Sequence, residues 1–189
     1  MAFWHDATGN DPKRQYRWVL YNNHIPLYTL KKATKPSFSI NEATHKFLNH
    51  TYYYPGRVEW EKISITLADP VVPDAAATIT NIIKDSGYSP AQVPGRDLQT
   101  MSKERAVQAL GEVVIAQLDS NGDPVETWTL WNAFITSVKY GELDYEGDEL
   151  TNVELELRYD YAWLLTVGDS TQGNNVFWQP GLDGGGTPL

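Results

Sequence analysis

Histidines and the side chains with hydroxyl or carboxylate groups are the residues that could give this chain a reactive site. The histidines are scattered and lack the spacing of a His-Glu-x-x-His motif or another paired-ligand motif. No nucleophile, base and orienting group occur together at the spacing of a catalytic motif. The sequence therefore predicts no enzyme, no cofactor and no metal site, and we interpret the histidines as surface or turn residues. They are His5, His24, His45 and His50.

One segment has the beginning of a calcium loop. Asp119, Asn121 and Asp123 alternate as the first ligands of such a loop do, but position six is Pro124 and position twelve is Leu130. A calcium loop requires Gly and Glu at those two positions. The Asn-Gly dipeptide inside the segment instead favours a β-hairpin turn.

A second group of carboxylates lies in a turn-rich stretch. It could bind a cation, although a solvated acidic rim is the simpler interpretation. Its members are Glu142, Asp144, Glu146, Asp148 and Glu149.

Composition limits the classes of protein that remain. The chain has 189 residues, 41% of them hydrophobic, which is enough for one globular domain with a core. It has no cysteine, so it has neither disulfides nor thiolate metal ligands. Its net charge of −9 argues against a surface that binds phosphate backbones. An acidic lining would instead let a polyanion pass without binding. The sequence predicts no leader and no membrane span, so we expect a soluble protein.

The stretch Thr127–Ala162 organises the predicted elements. Its last part, Val153–Tyr161, alternates apolar and polar residues as a strand with one dry and one wet face does. Val153, Leu155, Leu157, Tyr159 and Tyr161 should face a core. Glu154, Glu156, Arg158 and Asp160 should face water or a water-filled channel.

Further strands are predicted upstream, and the fold class that follows is mainly β, an antiparallel sandwich or barrel. One long strand, Val58–Leu67, changes the parity of its apolar residues near Glu61–Lys62, which predicts a β-bulge. One covering helix is predicted from Pro73 to Asp85, and Ser102–Ala109 is either a short helix or the approach to a strand. The other predicted strands are Arg17–Asn22, Ile25–Ala33, Ser37–His45, Gly111–Leu118, Val125–Asn132 and Ala133–Tyr140.

Two aromatic segments are candidate contact surfaces. Lys46–Gly56 reads as an exposed aromatic loop, or as a strand end whose tyrosines lie on both faces. A pair of aromatic residues in the Gly-rich tail suggests docking onto a partner. We divide the chain into an arm (1–16), a β domain (17–163) and a flexible extension (164–189). The contact residues are Phe47, Leu48, Tyr52, Tyr53 and Tyr54 in the loop, and Phe177 and Trp178 in the tail.

In the order of these features the chain resembles the tail tube proteins of contractile-tailed bacteriophages, a family related to the tubes of R-type pyocins and type VI secretion. The resemblance covers about Arg17 to Trp163. The chain departs from the family in its residues 164–189 and in Ile135, where a proline is expected. The motifs are Lys31–Pro36, Gly56–Leu67, the Pro73–Asp85 helix, Trp131–Val138, Gly141–Tyr145 and Glu154–Tyr161.

This resemblance implies copies that join edge to edge into hexameric rings around an inter-subunit β-barrel. The rings would stack into a hollow virion tube, assembled in the host cytoplasm, through which phage DNA passes without specific binding. Tail sheath and baseplate proteins would be the partners. The aromatic loop would contact the next ring, and Glu154, Glu156, Arg158 and Asp160 would line the bore.

Two alternatives remain open. A baseplate tube initiator would keep the fold and form a single ring, with the long tail docking a hub protein. A monomeric β-barrel that binds a small ligand or sugar would use the aromatic residues to line a pocket. Copy number and mass in solution separate these from a tube subunit.

Overall fold

The computed structural model describes residues 12–90 and 100–166, together with the backbone of a strand at 175–177. A single 3₁₀ turn, Leu27–Thr29, accompanies the helices and strands of these ranges. In chain order, those elements are β1 (Trp18–Tyr21), β2 (Leu30–Ala33), β3 (Phe38–Phe47), β4 (His50–Trp60), β5 (Ile63–Ala68), α1 (Ala75–Asp85), α2 (Lys103–Leu110), β6 (Val113–Leu118), β7 (Pro124–Trp131), β8 (Phe134–Lys139), β9 (Asn152–Arg158), β10 (Tyr161–Thr166) and β11 (Asn175–Phe177).

The strands form two sheets and a separate hairpin. Sheet A has the order β1-β6-β7-β10-β11, and sheet B has the order β2-β5-β9-β8. Among the described strands, β3 and β4 pair only with each other. Every pairing is antiparallel, so the predicted class, mainly β with antiparallel sheets, is confirmed.

The core lies between the two sheets because each sheet has one apolar face. In sheet B, the predicted inward row of β9 is buried, and β5 places its own apolar row beside it. Sheet A completes the same cluster. The residues are Val153, Leu155, Leu157, Ile63, Ile65 and Leu67 from sheet B, and Leu20, Val113, Ile115, Leu130 and Ala162 from sheet A.

Helix α1 covers one side of this core, as predicted. The side chain of Asp74 accepts a hydrogen bond from the backbone N–H of Ala77 and caps the first turn. Ile79 and Ile82, on one stripe of the helix, join the core. Neither helix of the described ranges has the length and apolar content needed to cross a membrane.

A second helix, α2, corrects the prediction of a single covering helix. Its N-cap is Ser102, whose side chain accepts from the backbone N–H of Arg105. Leu110 enters the core near its end. The segment is short and mostly polar, so its periodicity alone did not separate a helix from the approach to a strand.

Two predicted long strands each turn a corner between sheets or layers. The stretch Val153–Tyr161 is split into β9, in sheet B, and β10, in sheet A. The prediction that Tyr159 faces the core is confirmed, while Tyr161 is only half-buried. Val58–Leu67 is likewise split at Glu61–Lys62, where the hairpin strand β4 ends and β5 begins. The predicted bulge there is wrong, although the position of the irregularity is right.

Two other predictions need correction. Ile25–Ala33 is a strand only from Leu30, because the Thr29 hydroxyl donates a 2.7 Å hydrogen bond to the Pro26 carbonyl and stabilises the 3₁₀ turn. The loop predicted at Lys46–Gly56 is instead the distal part of the β3–β4 hairpin, whose strands are exposed throughout except for Trp60. Cross-strand pairing, which a single segment does not reveal, explains the second difference.

Candidate functional site

The outward face of sheet B carries the predicted wet residues of β9. Glu154 and Arg158 are exposed and Glu156 is half-buried. The register places Thr66 and Ser64 of β5 beside the two glutamates. This polar face arises because every second residue of β9 and β5 is buried on the other side.

Cations balance the glutamates on this face. Lys139 Nζ lies 3.7 Å from Glu154 Oε2, and Lys62 Nζ lies 3.3 Å from Glu156 Oε2. Lys32 belongs to the same face, because it pairs with Thr66. The face is therefore mixed in charge and not uniformly acidic, which the sequence did not reveal because these lysines come from other segments of the chain.

Asp160 lies beyond the end of β9, at the corner between the sheets. Its carboxylate accepts hydrogen bonds from Lys103 Nζ, at 2.6 and 2.8 Å, and from Asn132 Nδ2, at 2.8 Å. Partial burial opposes ionisation, but these hydrogen bonds prevail and lower the pKa of Asp160. Asp160 thus joins the corner to helix α2 and stands apart from the row of Glu154, Glu156 and Arg158.

The β3–β4 hairpin presents two different faces. Cross-strand partners share a face, so the register separates the three adjacent tyrosines. Tyr52 and Tyr54 lie on an aromatic face, and Tyr53 lies with Thr44 on a polar one. Leu48 is at the tip, with a φ of 51° and 87% of its surface exposed. The aromatic face comprises Ala43, His45, Phe47, His50, Tyr52 and Tyr54.

The root of the hairpin is attached to the core by aromatic contacts. The rings of Phe38 and Trp60 meet edge to face with centroids 5.1 Å apart, and Trp60 contacts the buried Tyr159 at 5.9 Å. The remainder projects into solvent. An isolated two-stranded hairpin is marginally stable in water, so this one is expected to be covered by another surface.

A buried carboxylate, Glu126, fixes the segments beside the hairpin root. It accepts hydrogen bonds from Lys13, from Lys35 Nζ at 2.7 Å and from Trp128 Nε1 at 2.6 Å. Burial raises the pKa of Glu126, but the two lysines and the indole N–H outweigh it and lower the pKa to about 2. Sequence analysis missed this cluster. One sign of this cluster is present in the sequence: Glu126 has the same parity as Trp128 and Leu130, whose side chains face inward.

Of the two candidate cation sites, the first forms a turn held by its own carboxylate. The Asp119 carboxylate accepts from the backbone N–H groups of Asp123 and Asn121, which lowers its pKa and forms the predicted hairpin turn. Within 12–90 and 100–166, no three acidic or histidine side chains are grouped to hold a metal ion. His24 lies in a turn held by Asn22, and His5 is outside the described residues.

The tail residues can be placed only in part. The backbone of Phe177 pairs with Leu164 in sheet A, so the boundary drawn at 163 cuts through the strand β10. The side chain of Phe177 and the whole of Trp178 lie outside the described residues. Their role in docking stays a prediction.

One protein family model matches most of the chain. The family model for the T4-like virus tail tube protein gp19 matches residues 32–162, more than two thirds of the chain. No curated protein matches the sequence.

Several solved structures share the fold. A chain in the structure of the sheath/tube terminator of the extracellular contractile injection system PVC has a TM-score of 0.61 and 15% identity, covering 82% of this chain and 96% of its own. A chain of the PVC sheath-tube complex has a TM-score of 0.59 and 16% identity, covering 85% and 95%. A chain of the anti-feeding prophage tube-terminating cap has a TM-score of 0.60 and 14% identity, covering 82% and 92%.

Proposed function

Since this chain belongs to the T4-like virus tail tube protein gp19 family, and is therefore a structural subunit of a tail tube, we propose how its copies build that tube. Copies join edge to edge into a hexameric ring, and the rings stack into a hollow conduit. Phage DNA passes through the bore during ejection. The role is structural, and no catalytic step belongs to it.

The observation that carries this proposal is that the two outer strands of sheet B each pair on one side only among the described residues. β2 and β8 are the outermost strands of the sheet, and alternate strands run in opposite directions, so β2 and β8 are antiparallel. Rotation about a ring axis would bring β8 of one copy beside β2 of the next with antiparallel polarity. Such a heterologous contact closes into a ring and removes both exposed edges.

The polar face of sheet B is then the lining of the bore. The apolar face of sheet B packs against the core of its own chain. In a barrel continued between copies, with each core on the outside, the polar face of sheet B faces the bore. Hydrated glutamates and lysines that are already paired leave no unbroken basic surface to hold a phosphate backbone. Glu154, Glu156 and Arg158 are the bore residues on this proposal.

The β3–β4 hairpin provides the contact between stacked rings. Its aromatic face is exposed in the single chain, and tyrosine supplies a large rigid contact area with a polar tip. Phe47, Tyr52 and Tyr54 are the expected anchors of that contact. Leu48, at the tip, and Tyr53, on the other face, complete the set of contact residues.

The sheath and the baseplate are the proposed protein partners of the assembled tube. One structure with this fold comes from a sheath-tube complex, which supports a sheath around the tube. The location is the virion tail after assembly in the host cytoplasm.

Negative-stain electron microscopy of the purified chain, together with its mass in solution, tests the proposal. Rings or tubes with an open bore and a mass of six copies per ring are expected. A chain that remains a monomer at high concentration would contradict it and favour the baseplate initiator or the ligand-binding barrel.

A further inference from the structure

The connection between β8 and β9 is acidic and exposes apolar side chains. Every residue from 141 to 150 is exposed, and this stretch holds five carboxylates and no lysine or arginine. Leu143 is 91% exposed, and Tyr145 and Leu150 are also exposed. Large exposed apolar side chains on a twelve-residue connection are typical of a contact surface and not of a purely solvated loop. We call residues 141–150 the acidic connection.

The opposite edge of the same sheet is basic. β2 carries Lys31 and Lys32, both exposed. Lys31 Nζ donates a 2.6 Å hydrogen bond to the neutral side chain of Asn152. Among the described residues, no ion pair joins either lysine to a carboxylate. The ammonium groups of the two lysines can therefore pair with carboxylates of another molecule.

Strand register places these two features at the same height of the sheet. Lys32 pairs with Thr66, Thr66 with Glu154, and Glu154 with Lys139, so one row crosses the sheet from β2 to β8. The acidic connection begins two residues after Lys139. Lys31 lies on the same side of this row as the acidic connection, because its Nζ donates to the side chain of Asn152 at the start of β9.

We propose that the acidic connection of one copy binds the Lys31–Lys32 edge of the next copy. This rests on the proposed edge-to-edge ring, in which β8 and β2 of neighbouring copies meet. The row that Lys32 and Lys139 share then brings the carboxylates that follow Lys139 beside the neighbour's two lysines. Opposite charges at the two ends of a head-to-tail contact fix its register and discourage two like edges from pairing.

Charge reversal on each side, and then on both, tests the pairing in the full-length chain. Lys31→Glu with Lys32→Glu, and separately Glu142→Lys with Asp144→Lys, should each lower the yield of rings at fixed concentration by about tenfold or more, because like charges now meet. The variant with all four substitutions should recover ring yield, since the charges are opposite again. High salt should weaken wild-type assembly and lessen the defect of each reversal.

Two controls make the result specific. Asp123→Lys reverses one charge on the β6–β7 turn of sheet A and should leave ring yield unchanged. Circular dichroism should show that all variants fold, because every substituted side chain is exposed.

The outcomes separate this inference from the proposed function. A wild-type chain that forms no rings would overturn both. If the wild-type chain forms rings, two results would overturn the pairing alone. One is a charge-reversal variant that assembles normally; the other is a variant with all four substitutions whose ring yield is no higher than that of the two charge-reversal variants.

Discussion

At the scale of single residues, the least expected feature is the buried carboxylate of Glu126. Two lysines from distant parts of the chain neutralise it, one before β1 and one between β2 and the hairpin. A buried charge is tolerated when it is paired and hydrogen-bonded. Glu126 therefore ties the start of the chain and the approach to the hairpin to sheet A.

Glu126→Gln should lower the free energy of unfolding by about 2 kcal/mol at neutral pH, because two lysines lose their counter-charge. Chemical denaturation measures this. Glu154→Gln is the matched control, since Glu154 is exposed and contacts one lysine at 3.7 Å; a change below about 0.5 kcal/mol is expected there. Equal losses in the two variants would contradict the role assigned to Glu126.

The same carboxylate predicts an acid dependence of stability. Its pKa falls from an ordinary 4.5 to about 2 in the folded chain. A lowered pKa gives stability that is complete above pH 4.5 and is lost as the pH falls toward 2. Wild type should lose more stability over this range than Glu126→Gln. Parallel acid profiles of the two proteins would show that Glu126 does not contribute.

Position 141 requires glycine for a steric reason that the sequence does not show. Its φ is +80°, and a Cβ there would lie 2.6 Å from the carbonyl oxygen of Asn152. Gly122 has a similar φ of +90° but open space around it. Gly141→Ala should therefore destabilise the chain by about 2 kcal/mol or more, against about 1 kcal/mol for Gly122→Ala. Thermal or urea unfolding compares them, and equal losses would exclude a steric role.

Residue-level roles were predictable only where the cause is local. The turn at Asp119–Asp123 follows from its own side chains and dipeptide. Glu126 was missed because its partners Lys13 and Lys35 lie 113 and 91 residues away in sequence. The balance of Glu154 by Lys139 was missed for the same reason, since it depends on strand register.

At the scale of elements, alternation located strands well and their ends poorly. The inward parity changes at the corner, since Tyr159 and Ala162 are buried while Tyr161 is only half-buried. The alternation of residue types nevertheless runs on to Tyr161, so the sequence reads as a single strand. The corner is fixed by long-range hydrogen bonds, from the Asp160 N–H to the Trp131 carbonyl and from Lys103 to the Asp160 carboxylate. No periodicity within the segment contains that information.

The two faces of the β3–β4 hairpin predict different effects of tyrosine substitutions. Tyr52→Ser with Tyr54→Ser removes two rings from the aromatic face and should reduce ring stacking strongly, while Tyr53→Ser on the polar face should reduce it less. Monomer stability should change little, because all three side chains are at least half exposed.

Electron microscopy that counts single rings and stacked tubes measures this effect. Tubes of normal length from the double variant would contradict a stacking role for the aromatic face. A loss of single rings together with tubes would instead place the hairpin within the ring.

At the scale of the whole molecule, one sandwich serves two purposes. Its core stabilises the single chain, while the edges of sheet B and the projecting hairpin are, on the proposed function, the surfaces that meet other copies. The wet and dry faces of the strands were predictable from the sequence. It could not show that the wet face is balanced in charge, because that depends on which strands are neighbours.

The charge balance of the polar face predicts how DNA passage responds to mutation. Glu154→Gln with Glu156→Gln removes the counter-charges of Lys139 and Lys62 on this face, so DNA should bind the bore and ejection should slow. Because the attraction is electrostatic, the delay should shrink as salt rises. Assembly should be preserved, since neither glutamate is buried.

Ejection kinetics of particles that carry the variant measure this effect. Glu154→Asp with Glu156→Asp keeps both charges and should eject at the normal rate. Unchanged kinetics in the glutamine variant would exclude Glu154 and Glu156 from the bore.

A reconstruction of the assembled tube by cryo-electron microscopy tests the central claim most directly. We predict six copies per ring, with β8 of each copy hydrogen-bonded to β2 of the next and Glu154, Glu156 and Arg158 facing the bore. A ring closed through the edges of sheet A, or a bore lined by the hairpin, would contradict the account.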